Sequence, residues 1–168
     1  MGFKKTSETI AISFGTNELA PNTFIQEEIA LQLDVLNNEI FVVLAIDLDM
    51  TPPDALAGTD TNTFSSISTT SLATIGTLSQ SNVMAVARDS IRAVGFADGG
   101  VGFSRGADES YQGELDYIAL IATNNFFIQL TGQQNVTPKG LNGRVWGYRA
   151  KADSSTYAAL VQSEVLSA

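Results

Sequence analysis

The side chains best equipped for chemistry in this chain are carboxylates, because it contains neither histidine nor cysteine. The commonest general base near neutral pH is therefore missing, as are thiolate nucleophiles, thiolate metal sites and disulfides. Two carboxylates flanking one substrate bond could still hydrolyse a glycoside. Glu27-Glu28 and Asp108-Glu109 are adjacent acid pairs, but neighbours on a strand point to opposite faces and cannot share one bond. Asp47 and Asp49, with Asp54 and Asp60 just beyond, could bring oxygens together around a hard cation such as Ca²⁺. Their spacing matches no calcium loop, and solvated acids at a strand end are the expected arrangement. No catalytic, cofactor-binding or metal-binding residue is assigned, no cofactor is expected, and the chain reads as a non-enzyme.

Three weaker patterns lead in the same direction. The glycines between Gly95 and Gly102 lack the strand-to-helix setting and the GK[ST] or GxGxxG spacing of a phosphate loop. Trp146 and Tyr148, with Tyr111 or Tyr117, could form a sugar-stacking platform, although core or interface packing suits residues flanked by Val145 and Gly147 better. Asn135-Val136-Thr137 is formally a glycosylation sequon, which matters only in a secretory protein.

Eighteen acidic residues against nine basic ones give a net charge of −9, which repels phosphate backbones and anionic lipid. Direct nucleic-acid binding is not expected. Lys4 and Lys5 form the one basic cluster and read as solvated charges. Only 16% of residues are charged, below the usual figure of about 25%. Ser, Thr, Asn and Gln make up the difference, a surface that is cheap to desolvate against other subunits. The apolar run from Ile40 to Ile46 is far too short to cross a bilayer as a helix, and no signal-peptide core follows the N-terminal lysines. Residues 1–168 read as a single domain, with 1–8 as an N-terminal arm that a neighbouring subunit would hold in place.

The elements carrying these residues are mostly strands. Ile29, Leu31, Leu33 and Val35 alternate with polar residues over 25–35, and Asn37-Asn38 can make a tight turn into a return strand from Glu39 to Met50. Ile40, Val42, Leu44, Ile46, Leu48 and Met50 form its expected core face. Phe41 and Val43 make the other face apolar at one end, so a further element or subunit should cover it. Pro52 and Pro53 end that strand. Strands follow over 65–75 and 83–94, the latter projecting Arg88 and Arg92 away from its apolar face. Residues 95–113 read as an exposed loop or short edge strands. A second hairpin is expected over 115–131 with its turn at Asn124-Asn125, and a last strand over 144–151. Asp153 or Ser154 then caps a helix carrying Tyr157, Leu160, Val161, Glu164 and Val165. Strands at this spacing predict an all-β sandwich, closed as a single jelly roll of about eight strands with a short C-terminal helix.

The segment Gly143-Arg144-Val145-Trp146-Gly147-Tyr148-Arg149-Ala150-Lys151-Ala152-Asp153, followed by Tyr157-Ala158-Ala159-Leu160-Val161-Gln162-Ser163-Glu164, resembles the final strand and helix of small virion shell proteins. Asn38-Glu39-Ile40-Phe41-Val42-Val43, leading to Ala45-Ile46-Asp47-Leu48, is similar to them too. These stretches, under half of the chain, resemble the single vertical jelly-roll major capsid proteins of tailless icosahedral, internal-membrane (sphaerolipovirus-like) viruses. The resemblance implies a capsid subunit, made in the host cytoplasm and located in the virion. It would self-associate, or co-assemble with a second capsid protein, into an icosahedral shell over an internal membrane. Two other functions fit the residues: a carbohydrate-binding β-sandwich module, or a filament subunit donating the strand Thr6 to Phe14, in which Ile10, Ile12 and Phe14 alternate.

Overall fold

The computed structural model describes residues 2–95, 102–106, 109–110 and 115–167. Among them eleven strands form two antiparallel sheets, followed by one helix. The strands are β1 (Phe3–Lys5), β2 (Ile10–Asn17), β3 (Ile25–Ala30), β4 (Glu39–Met50), β5 (Thr61–Ser68), β6 (Val83–Arg92), β7 (Gly102–Gly106), β8 (Glu109–Ser110), β9 (Ala119–Ile121), β10 (Asn125–Gln133) and β11 (Gly140–Ala152). The helix is α1 (Ser154–Ser167).

One sheet places β11 between β4 and the consecutive strands β1 and β2, with β8 and β9 on the far side of β4; the other runs β3-β10-β5-β6-β7. The antiparallel pairs β2 with β11, β3 with β10, β4 with β9 and β5 with β6 nest inside one another along the chain. They are the rungs of one long hairpin rolled into a barrel, which is the jelly-roll topology.

This topology overturns both hairpins expected from local pattern. β3 and β4 lie in different sheets, and the chain between them makes a short 3-10 turn over Val35–Asn37 before Asn38 takes a left-handed conformation. Likewise β9 pairs with β4 while β10 pairs with β3 and β5. Alternation and a turn residue show that a strand ends, but not whether the next one returns beside it or crosses the sandwich.

The expected core face of β4 is also corrected. Ala45 lies opposite Trp146 and Val43 opposite Gly147, so Leu44 is an extra residue, a β-bulge that reverses the alternation. Phe41 and Val43 before the bulge and Ile46, Leu48 and Met50 after it all point between the sheets. There they meet Phe126, Ile128 and Leu130 of β10 and Ile67 of β5. Phe14 of β2 reaches across to Phe126 edge-on, 5.9 Å between centroids. Ile40, Val42 and Leu44 point outward and form a second core with Tyr157, Leu160 and Val161 of α1 and with Phe3, Tyr117, Leu120 and Tyr148. The cover expected for the two-sided apolar end of β4 is thus α1.

Asp153 caps α1 by accepting hydrogen bonds from the Thr156 N–H at 2.7 Å and the Ser155 hydroxyl at 2.9 Å. Its own N–H donates to Gly2 O at 2.8 Å, tying the start of the chain to the start of the helix. β1 pairs with the end of β11 in its own chain, Phe3 opposite Ala152, and Phe3 packs into the helix core. The strand expected over 65–75 instead runs 61–68 and leaves the sheet at Thr69. The returning segment covers Ser66, Ser68 and Gln129 on the outer face, with Gly76 N–H donating to Ser66 Oγ and Leu72 N–H to Gln26 Oε1.

Candidate interaction surface

Most residues singled out for chemistry are dispersed by the fold. Glu27 stands opposite Ile128 and Glu28 opposite Phe127, so the two face opposite sides of β3. Asp108 lies outside the described residues, as do Phe96 to Val101 and Tyr111. Asp47 and Asp49 are exposed on the outer face of β4, while Asp54 and Asp60 are each engaged elsewhere. Among the described residues no three acidic groups gather around a possible metal ion. Tyr117 packs edge-on against Phe3, and Lys5 Nζ sits 4.8 Å over the Tyr148 ring. Trp146 remains half-buried on the outer face, beside a shallow depression formed with Asp47, Asp49, Asn142, Gly143 and Arg144. Asn135 is 5% exposed, with its side chain bonded to Asn62 O and the Asp54 N–H, which leaves no room for a glycan.

Sequence reasoning missed the rigid loop ends. At one end the connections leaving β2, β4, β6 and β10 are stitched together by carboxylates. Glu18, 5% exposed, accepts N–H bonds from Thr23, Gly132 and Lys139 at 2.8–3.0 Å. Asp54 accepts from the N–H groups of Val136 and Thr137, the Thr137 hydroxyl and the buried Lys139 ammonium, the last at 2.6 Å. Burial alone would raise the Asp54 pKa, but these donors outweigh it and hold the carboxyl well below the ordinary aspartate range. Asp60 accepts from the N–H groups of Val94 and Ala93, which likewise lower its pKa. Leu19, Val136 and Val94 project to solvent from these loops, at 90, 65 and 61% exposure.

At the other end the turn between β3 and β4 is held by Arg149, which donates to Leu31 O at 2.7 Å, Gln32 O at 3.0 Å and Glu39 Oε1 at 2.8 Å. Asn124 adds bonds from the Leu31 and Leu33 N–H groups. This bracing lifts Leu36 to 95% exposure. A large apolar side chain on a braced loop loses little further entropy when a partner covers it. The isolated Leu36 gives no periodic signal in the sequence, and the carboxylates that stitch the loops, Glu18, Asp54 and Asp60, are scattered along the chain, so local pattern could not find them.

No protein-family model matches the chain, and no curated protein matches it. Solved structures similar to it include a chain of Desmodium yellow mottle tymovirus, at 11% identity and a TM-score of 0.33, covering 88% of this chain and 91% of that one. Another is from turnip yellow mosaic virus, at 10% identity and a TM-score of 0.28, covering 90% of this chain and 87% of that one. Likeness at this level carries no argument here; the jelly-roll assignment stands on the strand pairings above.

Proposed function

We propose that this chain is a non-enzymatic structural subunit that assembles with copies of itself into a viral shell. The observation that carries the reading is that both loop ends of a closed jelly roll are braced by networks of side-chain hydrogen bonds, mostly to backbone and buried to part-buried, while presenting Leu19, Val94, Val136 and Leu36 to solvent. Exposed apolar groups on a rigid frame mark contact surfaces. Many weak contacts per subunit then add up through effective concentration. The narrower reading, upright single jelly rolls over an internal membrane with a second capsid protein, rests on the sequence resemblance, whereas the solved structures named above come from tymoviruses. Electron microscopy of native particles tests the reading, together with light scattering of the pure protein across concentration and salt. Repeating single β-domains in a shell are expected; a monomer at all concentrations that never occurs in particles refutes it.

The depression beside Trp146 favours a second reading, a sugar-binding module with Trp146 as platform and Asp47, Asp49 and Asn142 as hydrogen-bonding groups. Glycan-array binding lost in Trp146→Ala would support it. The strand-donating alternative loses its free donor, because Ile10 to Asn17 is paired along its whole length with β11 of the same chain.

A further inference from the structure

A groove of about 400 Å³ crosses the outer face of the second sheet, between β5 and β6 and the segment that folds back over them. Phe64, Ile75, Leu78 and Val86 give it apolar walls, and Arg88 stands at one side next to Gly106. Arg88 is exposed and makes no ion pair or hydrogen bond among the described residues. Every other arginine has a polar partner: Arg92 with Asp60, Arg105 with Asp89, Arg144 with Ser13 and Arg149 with Glu39. In a chain with twice as many acids as bases, an unpaired guanidinium beside an apolar groove is suited to an apolar group that carries a carboxylate next to it.

The chain itself displays such a group. Leu36, the most exposed large apolar residue among those described, sits two positions from Asp34, which is also exposed. The turn bearing both is braced by Arg149 and Asn124. Leu19 is nearly as exposed, but the acid beside it, Glu18, is already occupied by three backbone N–H groups. The Asp34 carboxylate accepts only from the Asn37 side-chain amide of its own turn, while its backbone bonds to Asn37 and to the backbone and carboxylate of Glu39, so a carboxylate oxygen can still face an incoming cation.

We propose that the Asp34–Leu36 turn of one copy docks in the Phe64/Ile75/Leu78/Val86 groove of a second copy, with Leu36 filling the groove and Asp34 pairing with Arg88. The two surfaces differ, so the contact is head-to-tail and can propagate from copy to copy. This inference rests on the proposed self-assembly and specifies one of its contacts.

The absence of cysteine makes a direct test available. Leu36→Cys and Leu78→Cys variants are mixed under mild oxidation, and the disulfide-linked dimer is measured on a denaturing gel. A Leu19→Cys variant in place of Leu36→Cys is the control. The mixed pair should cross-link at least tenfold faster than the control pair. Adding Arg88→Asp to the Leu78→Cys partner should abolish that advantage, and adding Asp34→Arg to the Leu36→Cys partner should restore it. Equal rates for test and control pairs, or insensitivity to charge reversal, would overturn the docking. If wild-type particles still form in that case, the shell reading survives alone. If no pair cross-links and no particle forms, both fail. Circular dichroism of each variant verifies that folding is intact.

Discussion

Had β4 been an uninterrupted strand, Leu44 and Ile46 would share a face and a burial environment. The bulge separates them: Ile46 is 1% exposed between the sheets, whereas Leu44 is half-buried against α1. Ile46→Ala should therefore cost about 2–5 kcal/mol, the usual range for emptying a closed core site. Leu44→Ala removes a comparable side chain from a site that is partly wet and can relax, so about 1–2 kcal/mol is expected. With a urea slope of about 2 kcal/mol/M, the unfolding midpoint should fall by roughly 1–2.5 M for the first and about 0.5–1 M for the second. A double-mutant cycle locates each residue. Leu44→Ala with Leu160→Ala should couple by about 0.5 kcal/mol or more, while Ile46→Ala with Leu160→Ala should add within a few tenths. Equal midpoint shifts, or coupling of Leu160 to Ile46 instead of Leu44, would refute the bulge and the two-core arrangement built on it.

Glu164, on the sheet-facing side of α1, is 8% exposed with one oxygen accepting from the Ala122 N–H, and burial raises its pKa more than Ala122 and Thr123 lower it. Its contribution is therefore complete below the ordinary glutamate range of about 4 and lost as pH rises through the raised value. Glu164→Gln should raise the melting temperature at pH 7 and have no effect near pH 3; destabilisation at pH 7 would contradict this. Asp54 has the opposite sign. Its lowered pKa means stabilisation that is full at neutral pH and fades as pH falls below about 4. Hydrogen exchange at the Val136 and Thr137 amides should accelerate on acidification relative to core amides, and Asp54→Asn should remove that difference. Gly147 stands at the bulge, where a Cβ would collide with the Val42 carbonyl oxygen and, at 2.6 Å, with the Phe41 ring. Gly147→Ala should cost about 1–3 kcal/mol by chemical denaturation, and an unchanged midpoint would show that the strands separate freely there.

The parts of this fold legible in the sequence are those whose causes are local. The proline stop after Met50, the turn at Asn38, the outward Arg88 and Arg92 and the Asp153 cap each depend on a few neighbouring residues. The two-sided apolar pattern around Phe41 and Val43 also announced a covering element, which proved to be α1. Sheet membership was not legible, because β3 and β10 alternate in the same way whether they pair with a neighbour in sequence or with a strand from far along the chain. The bulge at Leu44 left no mark either, since leucine suits both cores. Of the candidate surface, Arg88 was visible as an outward cation, but that it has no polar partner among the described residues became apparent only once the other arginines found theirs.

The position of β11 has a consequence for how the protein is made. It is the last strand in the chain, yet it lies between β4 and the first two strands, β1 and β2. During synthesis the N-terminal strands therefore emerge long before β11, the strand they pair with, and β4 must wait with apolar residues on both faces. The first sheet can close only after β11, residues 140–152, has left the ribosome, so its folding is slow relative to that of chains with local pairings. Nascent chains stalled before residue 140 should be protease-sensitive and bound by chaperones.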